Sequence, residues 1–229
     1  MNKIDEAIKE LEKGRFILVH DSEKREDETD MVILSENVGP EQLSKMRIDA
    51  GGLICVAIGR SASEKVQLPL MADVLIEAEK RFPLLKEVRG EDIKYDKKSA
   101  FSLTVNHRKT FTGVSDIDRA LTIRELGLLC RDLDRQKNPT KAFGERFRSP
   151  GHIPLLASSG LENRQGHTEL TTAISEMGGL TQCVVVCEMM DEKTHKSLTL
   201  ADARKYAAKN KLKLIEGKEI IKAFEEWRK

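Results

Sequence analysis

Five short stretches of this chain carry side chains whose type and spacing could do chemistry. The first, Asp21-Ser-Glu-Lys-Arg-Glu-Asp-Glu-Thr-Asp30, holds six acidic residues in ten. In an extended backbone alternate side chains share a face, which would put Glu26, Glu28 and Asp30 on one side and Arg25, Asp27 and Thr29 on the other. Three carboxylates on one face repel unless a cation sits among them or some are protonated. A hard divalent ion such as Mg²⁺ takes oxygen ligands of this kind and often keeps several waters. A solvated charged loop is the plain alternative, but the apolar run Met31-Val-Ile-Leu34 that follows draws the segment towards a core.

The second stretch is Arg148-Ser-Pro-Gly-His152. Pro-Gly predicts a turn that presents His152, a residue suited to proton transfer near neutral pH; an isolated turn histidine is more often plain surface. The third, Asn163-Arg-Gln-Gly-His-Thr-Glu169, enters a predicted helix whose first turn offers free N–H groups and a positive dipole end. There Arg164 could add a bidentate phosphate contact, Thr168 a hydroxyl donor and His167 a ligand nitrogen. The fourth is Glu188, at the end of the apolar strand Gln182-Cys-Val-Val-Val-Cys-Glu188, where desolvation would make it a better base. The fifth is the polar turn Thr112-Gly-Val-Ser115, with Cys55 in Gly51-Gly-Leu-Ile-Cys55 read first as a core thiol.

The elements that must position these groups alternate between strand and helix. Ile4, Ala7, Ile8 and Leu11 fall at helical spacing, and Gly14 closes that helix. Strands are predicted at 15–19, 31–34, 52–58, 101–105, 153–156, 182–188 and 211–215. Helices are predicted from Gly39-Pro40 to about Asp49, at 167–177, at 199–206 and at 218–224. Thr122-Ile-Arg-Glu125 reads as a capping box opening a further helix, and 134–140 as a polar linker. Residues 86–99, nine of them charged, read as an exposed mobile loop. With neither repeat nor low-complexity tract, the alternation argues for an α/β or α+β layered fold in one domain.

Composition narrows the function. Lys plus Arg is 39 and Asp plus Glu 38, a balance that argues against a nucleic-acid partner, and an aromatic share of 4% argues against a stacking platform. A non-catalytic RNA-binding module would have only Asn106-His-Arg-Lys109 and residues 146–148 to rest on. No apolar run is long enough to span a membrane. Met1-Asn-Lys-Ile-Asp-Glu6 reads as a helix start rather than a leader, and the four cysteines as reduced thiols, so a cytoplasmic location is expected.

Taken in order and spacing, Arg25-Glu-Asp-Glu-Thr-Asp30, Gly51-Gly-Leu-Ile-Cys55, residues 110–119, Arg148-Ser-Pro-Gly-His152, Arg164-Gln-Gly-His-Thr-Glu169 and Cys187-Glu188 resemble 3,4-dihydroxy-2-butanone 4-phosphate synthase along nearly the whole chain. The form resembled is short and monofunctional, with an archaeal look around Asp92, Tyr95 and residues 106–109. The resemblance implies a riboflavin-pathway lyase that turns D-ribulose 5-phosphate into L-3,4-dihydroxy-2-butanone 4-phosphate and formate. It implies Mg²⁺, with Mn²⁺ an alternative, and no organic cofactor. It also implies an α+β fold, a single layered domain over 1–229 with a mixed β-sheet core flanked by helices, and a homodimer whose active sites draw residues from both chains.

By the same resemblance, Glu26 and His167 would hold the metal. Arg25, Asp30, Arg164, Gln165, Gly166, His167 and Thr168 would bind the sugar phosphate, and His152 and Glu188 would be catalytic. Asp21, Glu28, Cys55 and Thr112 would line the pocket. Gln165 departs from the Ala or Gly common at its position. The chemistry is coherent: removing the C3 proton of a phosphorylated ketose gives an enediolate, whose charge needs an electrophile. Loss of water, rearrangement and loss of formate then need a base and an acid that exchange roles. A metal-dependent phosphohydrolase would release inorganic phosphate instead.

Overall fold

The computed structural model describes residues 2–96 and 98–229; Met1, at the head of the expected first helix, and Lys97, inside the expected charged loop, lie outside the described residues. Helix α1 (Lys3–Glu12) opens at Asn2, whose side-chain oxygen accepts from the Asp5 N–H while the Asp5 carboxylate accepts from the Asn2 N–H. Ile4, Ala7 and Leu11 form its buried stripe.

The chain continues through β1 (Ile17–His20), β2 (Thr29–Leu34), α2 (Pro40–Lys45), β3 (Cys55–Ile58), α3 (Arg60–Val66), α4 (Met71–Ala78) and α5 (Leu84–Glu87). It then forms β4 (Phe101–His107), α6 (Asp116–Arg131), α7 (Pro139–Arg146), β5 (Phe147–Ala157), α8 (His167–Met177) and β6 (Cys183–Glu188). The short strands β7 (Met190–Asp191) and β8 (Lys196–Ser197) pair as a hairpin before α9 (Leu200–Asn210), β9 (Lys213–Glu216) and α10 (Gly217–Trp227).

Seven strands make one sheet in the order β4-β5-β3-β6-β2-β1-β9. The pairs β1–β9 and β3–β5 are parallel and the other four antiparallel, so the sheet is mixed and the fold is α+β as expected. Because successive strand residues face opposite ways, each central strand feeds two cores. Leu18, Met31, Ile33, Val56 and Val185 pack with Ile123, Leu126 and Leu129 of α6. Ile17, Val32, Cys55, Ala57, Val184 and Val186 pack on the opposite face with residues of α1, α8 and α10. That two-sided burial is why β2 and β6 read as unbroken apolar runs. No described helix is long and apolar enough to cross a membrane.

Several local expectations are corrected. Thr122-Ile-Arg-Glu125 does not open a helix, because α6 already starts at Ser115, whose hydroxyl accepts from the Asp118 N–H. Thr122 is buried in mid-helix; its hydroxyl donates to the Asp118 carbonyl and accepts from the His107 N–H, tying α6 to β4. Pro150-Gly151 lies within β5 rather than at a chain-reversing turn: between the pairs Asn106↔Arg148 and Val105↔Ile153 residues 149–152 bulge out of the ladder with β4, which leaves His152 exposed. A Cβ on Gly151 would lie 2.0 Å from the Val105 carbonyl carbon, so only glycine lets the two backbones pass. The helix expected to Asp49 is α2 followed by one π turn, Met46–Ala50, ended by Gly51 at φ +86°. The linker at 134–140 begins in a 3-10 turn (Leu133–Arg135), is irregular at 136–138, and enters α7 at Pro139, capped by Asn138.

The acidic stretch is not extended. The Arg25 N–H donates to the Ser22 carbonyl and Asp27 adopts φ +56°, so 22–27 is a turn and the alternation of faces applies only from Thr29 onward. Arg25, expected opposite Glu26, instead meets it at 2.9 Å.

Candidate active site

Asp21 shapes the acidic turn. Buried at the end of β1, it accepts from the Glu26 N–H at 3.0 Å through one carboxylate oxygen and from the Glu28 N–H at 3.1 Å through the other. The loop closes on itself and presents Glu26 towards α8. Glu26 Oε2 lies 3.2 Å from Nδ1 of His167, the first residue of that helix. On the other side of the imidazole, Nε2 is 3.8 Å from Asp30 Oδ1, and both atoms are buried with no hydrogen-bond partner.

Unpaired buried polar atoms are costly, and two facing each other mark a place built for something else. Asp21, Glu26 and His167 each offer a ligand atom, all within 4.8 Å of one another. Carboxylate oxygens with an imidazole nitrogen suit Mg²⁺ or Mn²⁺, so the residues present fit the ion that the sequence suggested. Asp21 joins this cluster although the sequence gave it only a lining role.

Electrostatics agree. Burial works against a charged His167, but Asp30, Glu26 and Asp21 outweigh it and push its pKa up to about 9. A buried imidazole held cationic by carboxylates is where a metal ion can replace a proton. Burial lifts Asp30 to about 7, helped by Glu188 and Glu26 and opposed by His167. For Glu26 burial also pushes upward, but the His167 hydrogen bond and the Arg25 guanidinium prevail and hold it below the usual carboxylate range.

Two arginines stand beside this cluster. Arg164 Nη1 donates to Glu169 Oε2 at 2.5 Å, and Glu169, wholly buried in the first turn of α8, also accepts from the Ser159 N–H. Arg25 sits over the Tyr95 ring at 5.4 Å. Both arginines donate to Asp96, Arg25 Nη2 at 2.8 Å and Arg164 Nε at 2.5 Å. Gly166 lets them converge, since a Cβ there would lie 2.3 Å from Arg164 Nη1 and 2.8 Å from Arg25 Nη2. Thr168 is buried in the same helix turn, whereas Gln165 is exposed.

The sheet supplies the remaining wall. Register sets Asp30 opposite Glu188 and Cys55 opposite Val186, so Asp30, Glu188 and Cys55 share one face. Glu188 is half-buried, and its Oε2 accepts from the Leu53 N–H at 2.7 Å. Burial pushes the Cys55 thiol well up, which keeps it neutral. Glu26, Asp30, Cys55, Arg164, His167, Thr168 and Glu188 together line a cavity of about 120 Å³. Glu28 is drawn aside: the Ser197 hydroxyl on β8 donates to its Oε1 at 2.5 Å.

His152 and Thr112 are not brought to this cavity within the chain. His152 is exposed on β5, where its N–H donates to Asn106 Oδ1 at 2.8 Å and its Nδ1 lies 3.1 Å from Asn106 Nδ2. Thr112 is exposed in the turn after β4, its N–H donating to Asp118 at 3.1 Å. Beside them Phe111, Val114 and Ile117 are 92%, 55% and 69% exposed. Sequence reasoning gave no role to Asp96, Asn106 or Gly52. Only Gly52 left a signal, in the Gly51-Gly52 pair; the other two are ordinary polar residues in polar runs.

The comparisons with known proteins point one way. The family model described as 3,4-dihydroxy-2-butanone 4-phosphate synthase matches residues 5–223. A protein of that name from Methanothermobacter thermautotrophicus is 50% identical over 227 residues, covering 98% of this chain and 97% of its own. Another of that name, from Archaeoglobus fulgidus, is 44% identical over 227 residues, with coverages of 98% and 94%. A solved structure described as the same synthase in complex with two magnesium ions aligns over 99% of this chain and 98% of its own. Its TM-score is 0.75 at 23% identity, a likeness of fold.

Proposed function

The chain belongs to the 3,4-dihydroxy-2-butanone 4-phosphate synthase family, and we propose that it converts D-ribulose 5-phosphate into L-3,4-dihydroxy-2-butanone 4-phosphate and formate for riboflavin biosynthesis. The reading makes it a Mg²⁺- or Mn²⁺-dependent lyase with no organic cofactor, one domain over 1–229, cytoplasmic and homodimeric. The observation that carries it is the facing pair of buried, unpartnered atoms, His167 Nε2 and Asp30 Oδ1, beside two arginines that converge on one anion.

In this reading Glu26 and His167 hold the ion, with Asp21 in reach. When bound, the ion supplies positive charge against the oxyanion that develops when a carbon next to a carbonyl is deprotonated. Arg25 and Arg164, with Gly166, Thr168 and the exposed Gln165 at the mouth of α8, bind the phosphate and fix the sugar end to end. Asp30 and Glu188, opposite each other on adjacent strands, are two carboxyls placed to take and return protons. Cys55 packs the wall between them and keeps water out.

His152 and Thr112 enter from a second copy of the chain. Their exposure, together with the apolar Phe111, Val114 and Ile117 around them, supports a shared site: one contact would cover the apolar surface and deliver the imidazole. The test is incubation with ribulose 5-phosphate and Mg²⁺, with and without chelator, following formate by NMR. Formate should appear only with the metal. Inorganic phosphate in its place would establish a phosphohydrolase and overturn the reading.

A further inference from the structure

Among residues 86–99, Glu87, Glu91 and Asp92 are exposed, as the charge density predicts. Asp96 is not. Its side chain is 12% exposed, and a single oxygen, Oδ2, accepts from both Arg25 Nη2 and Arg164 Nε. Two guanidinium groups meeting at one oxygen is how arginines grip a phosphate oxygen.

The surroundings hold donor capacity that Asp96 does not use. Arg25 Nη1 is buried with no aligned hydrogen bond, its charge facing Glu26 Oε1 at 2.9 Å and Asp21 Oδ2 at 3.5 Å. Gly166 offers the first turn of α8 no side-chain cap. The two arginines are also fixed differently: Arg164 is pinned from behind by wholly buried Glu169, whereas Arg25 is ion-paired with Glu26 and Asp21 of its own turn and stacked on Tyr95, next in sequence to Asp96. A change at Asp96 therefore leaves the Arg164 guanidinium where it is.

We propose that Asp96 is a tethered competing anion: it occupies the oxygen position that the substrate's phosphate takes, and an incoming phosphate must displace it. The proposal rests on the reading of Arg25 and Arg164 as the phosphate-binding pair. A phosphate dianion offers three oxygens and more charge than one carboxylate, so it wins the exchange; a neutral sugar does not. Asp96 thus sharpens selection for phosphorylated over unphosphorylated sugars and weakens binding of small anions that cannot span both arginines and the helix terminus.

The test uses inorganic phosphate as the probe, titrated calorimetrically into the Mg²⁺-saturated protein, the Asp96→Asn variant and the control Glu91→Gln. The control removes the same charge from the exposed part of the same segment. Asp96→Asn should bind phosphate about tenfold tighter and Glu91→Gln should match the unaltered protein. Unchanged or weaker binding in Asp96→Asn, or equal tightening in both variants, overturns the proposal. Formate release from ribulose 5-phosphate is read in parallel. Tighter phosphate binding without formate from any form sinks the assigned reaction alone, and formate with unchanged phosphate affinity sinks the competing-anion role alone.

Discussion

Gly52→Ala is the substitution whose consequence can be worked most fully from the structure. A Cβ at this position would stand 2.5 Å from Glu188 Oε2, 2.6 Å from the Glu188 carbonyl oxygen and 2.8 Å from its Cβ. The second of these is backbone in a central strand, so the clash cannot be relieved by turning a side chain. The 51–53 segment must lift away, stretching the hydrogen bond from the Gly52 N–H to the Glu188 carbonyl (3.0 Å) and that from the Leu53 N–H to Oε2 (2.7 Å). Overpacking of this kind costs about 1–3 kcal/mol. For a domain of this size that lowers Tm by about 2–4 °C per kcal/mol. A carboxylate displaced by about 1 Å from its working position costs on the order of a hundredfold in rate. Thermal unfolding and steady-state formate release are the assays, with Mg²⁺ affinity measured alongside. The expected result is a modest drop in Tm, a large drop in kcat and an unchanged metal affinity. A variant with kcat within twofold of the parent would show that the position of Glu188 is not what Gly52 protects.

Glu26→Gln and His167→Ala should each abolish metal-dependent formate release and weaken Mg²⁺ binding in calorimetry; full activity in both removes the metal assignment. Glu188→Gln should keep the Tm and phosphate affinity of the parent while losing turnover, and a near-parental rate excludes Glu188 from the chemistry. In chelator-treated protein, the raised pKa of His167 contributes stability that is complete below about pH 6.5 and lost as pH rises towards about 9. The raised Asp30 acts in the same sense at lower pH, its contribution ending near 7. Metal-free Tm should therefore fall with rising pH, and saturating Mg²⁺ should remove the decline above neutrality; a flat metal-free profile contradicts the cluster. Mixing inactive His152→Ala with inactive Glu188→Gln chains should restore formate release if the site is shared between subunits, and no recovery after subunit exchange would place His152 elsewhere.

The strands and α8 were legible because their signals are local. Val184-Val-Val186 is an apolar run only a two-sided strand explains, and Gly166-His167 marks a helix mouth. The pairing of Glu26 with His167 was legible only through resemblance, since nothing local links residues so far apart in the chain. Thr122-Ile-Arg-Glu125 misled because a capping box is a four-residue signal, and Ser115 upstream had already satisfied the helix start. Pro150-Gly151 signalled the break and the presentation of His152, but turn propensity is blind to a neighbouring strand that keeps the break as a bulge within β5. Asp96 was invisible because its role depends on two arginines reached by tertiary contact, and Glu87, Glu91 and Asp92 of the same charged segment are indeed exposed.

The two halves of the candidate site hang on parts of very different firmness. Asp30 and Glu188 are paired across β2 and β6, strands that lie between others in the sheet and are packed on both faces. Glu26 and Asp96 ride on connections between strands, held by side-chain contacts. On warming, such connections open locally well before a sheet of this kind comes apart. Heat should therefore silence the enzyme reversibly at temperatures where amide hydrogens of β2 and β6 still resist exchange, and cooling should revive it without any refolding of the sheet.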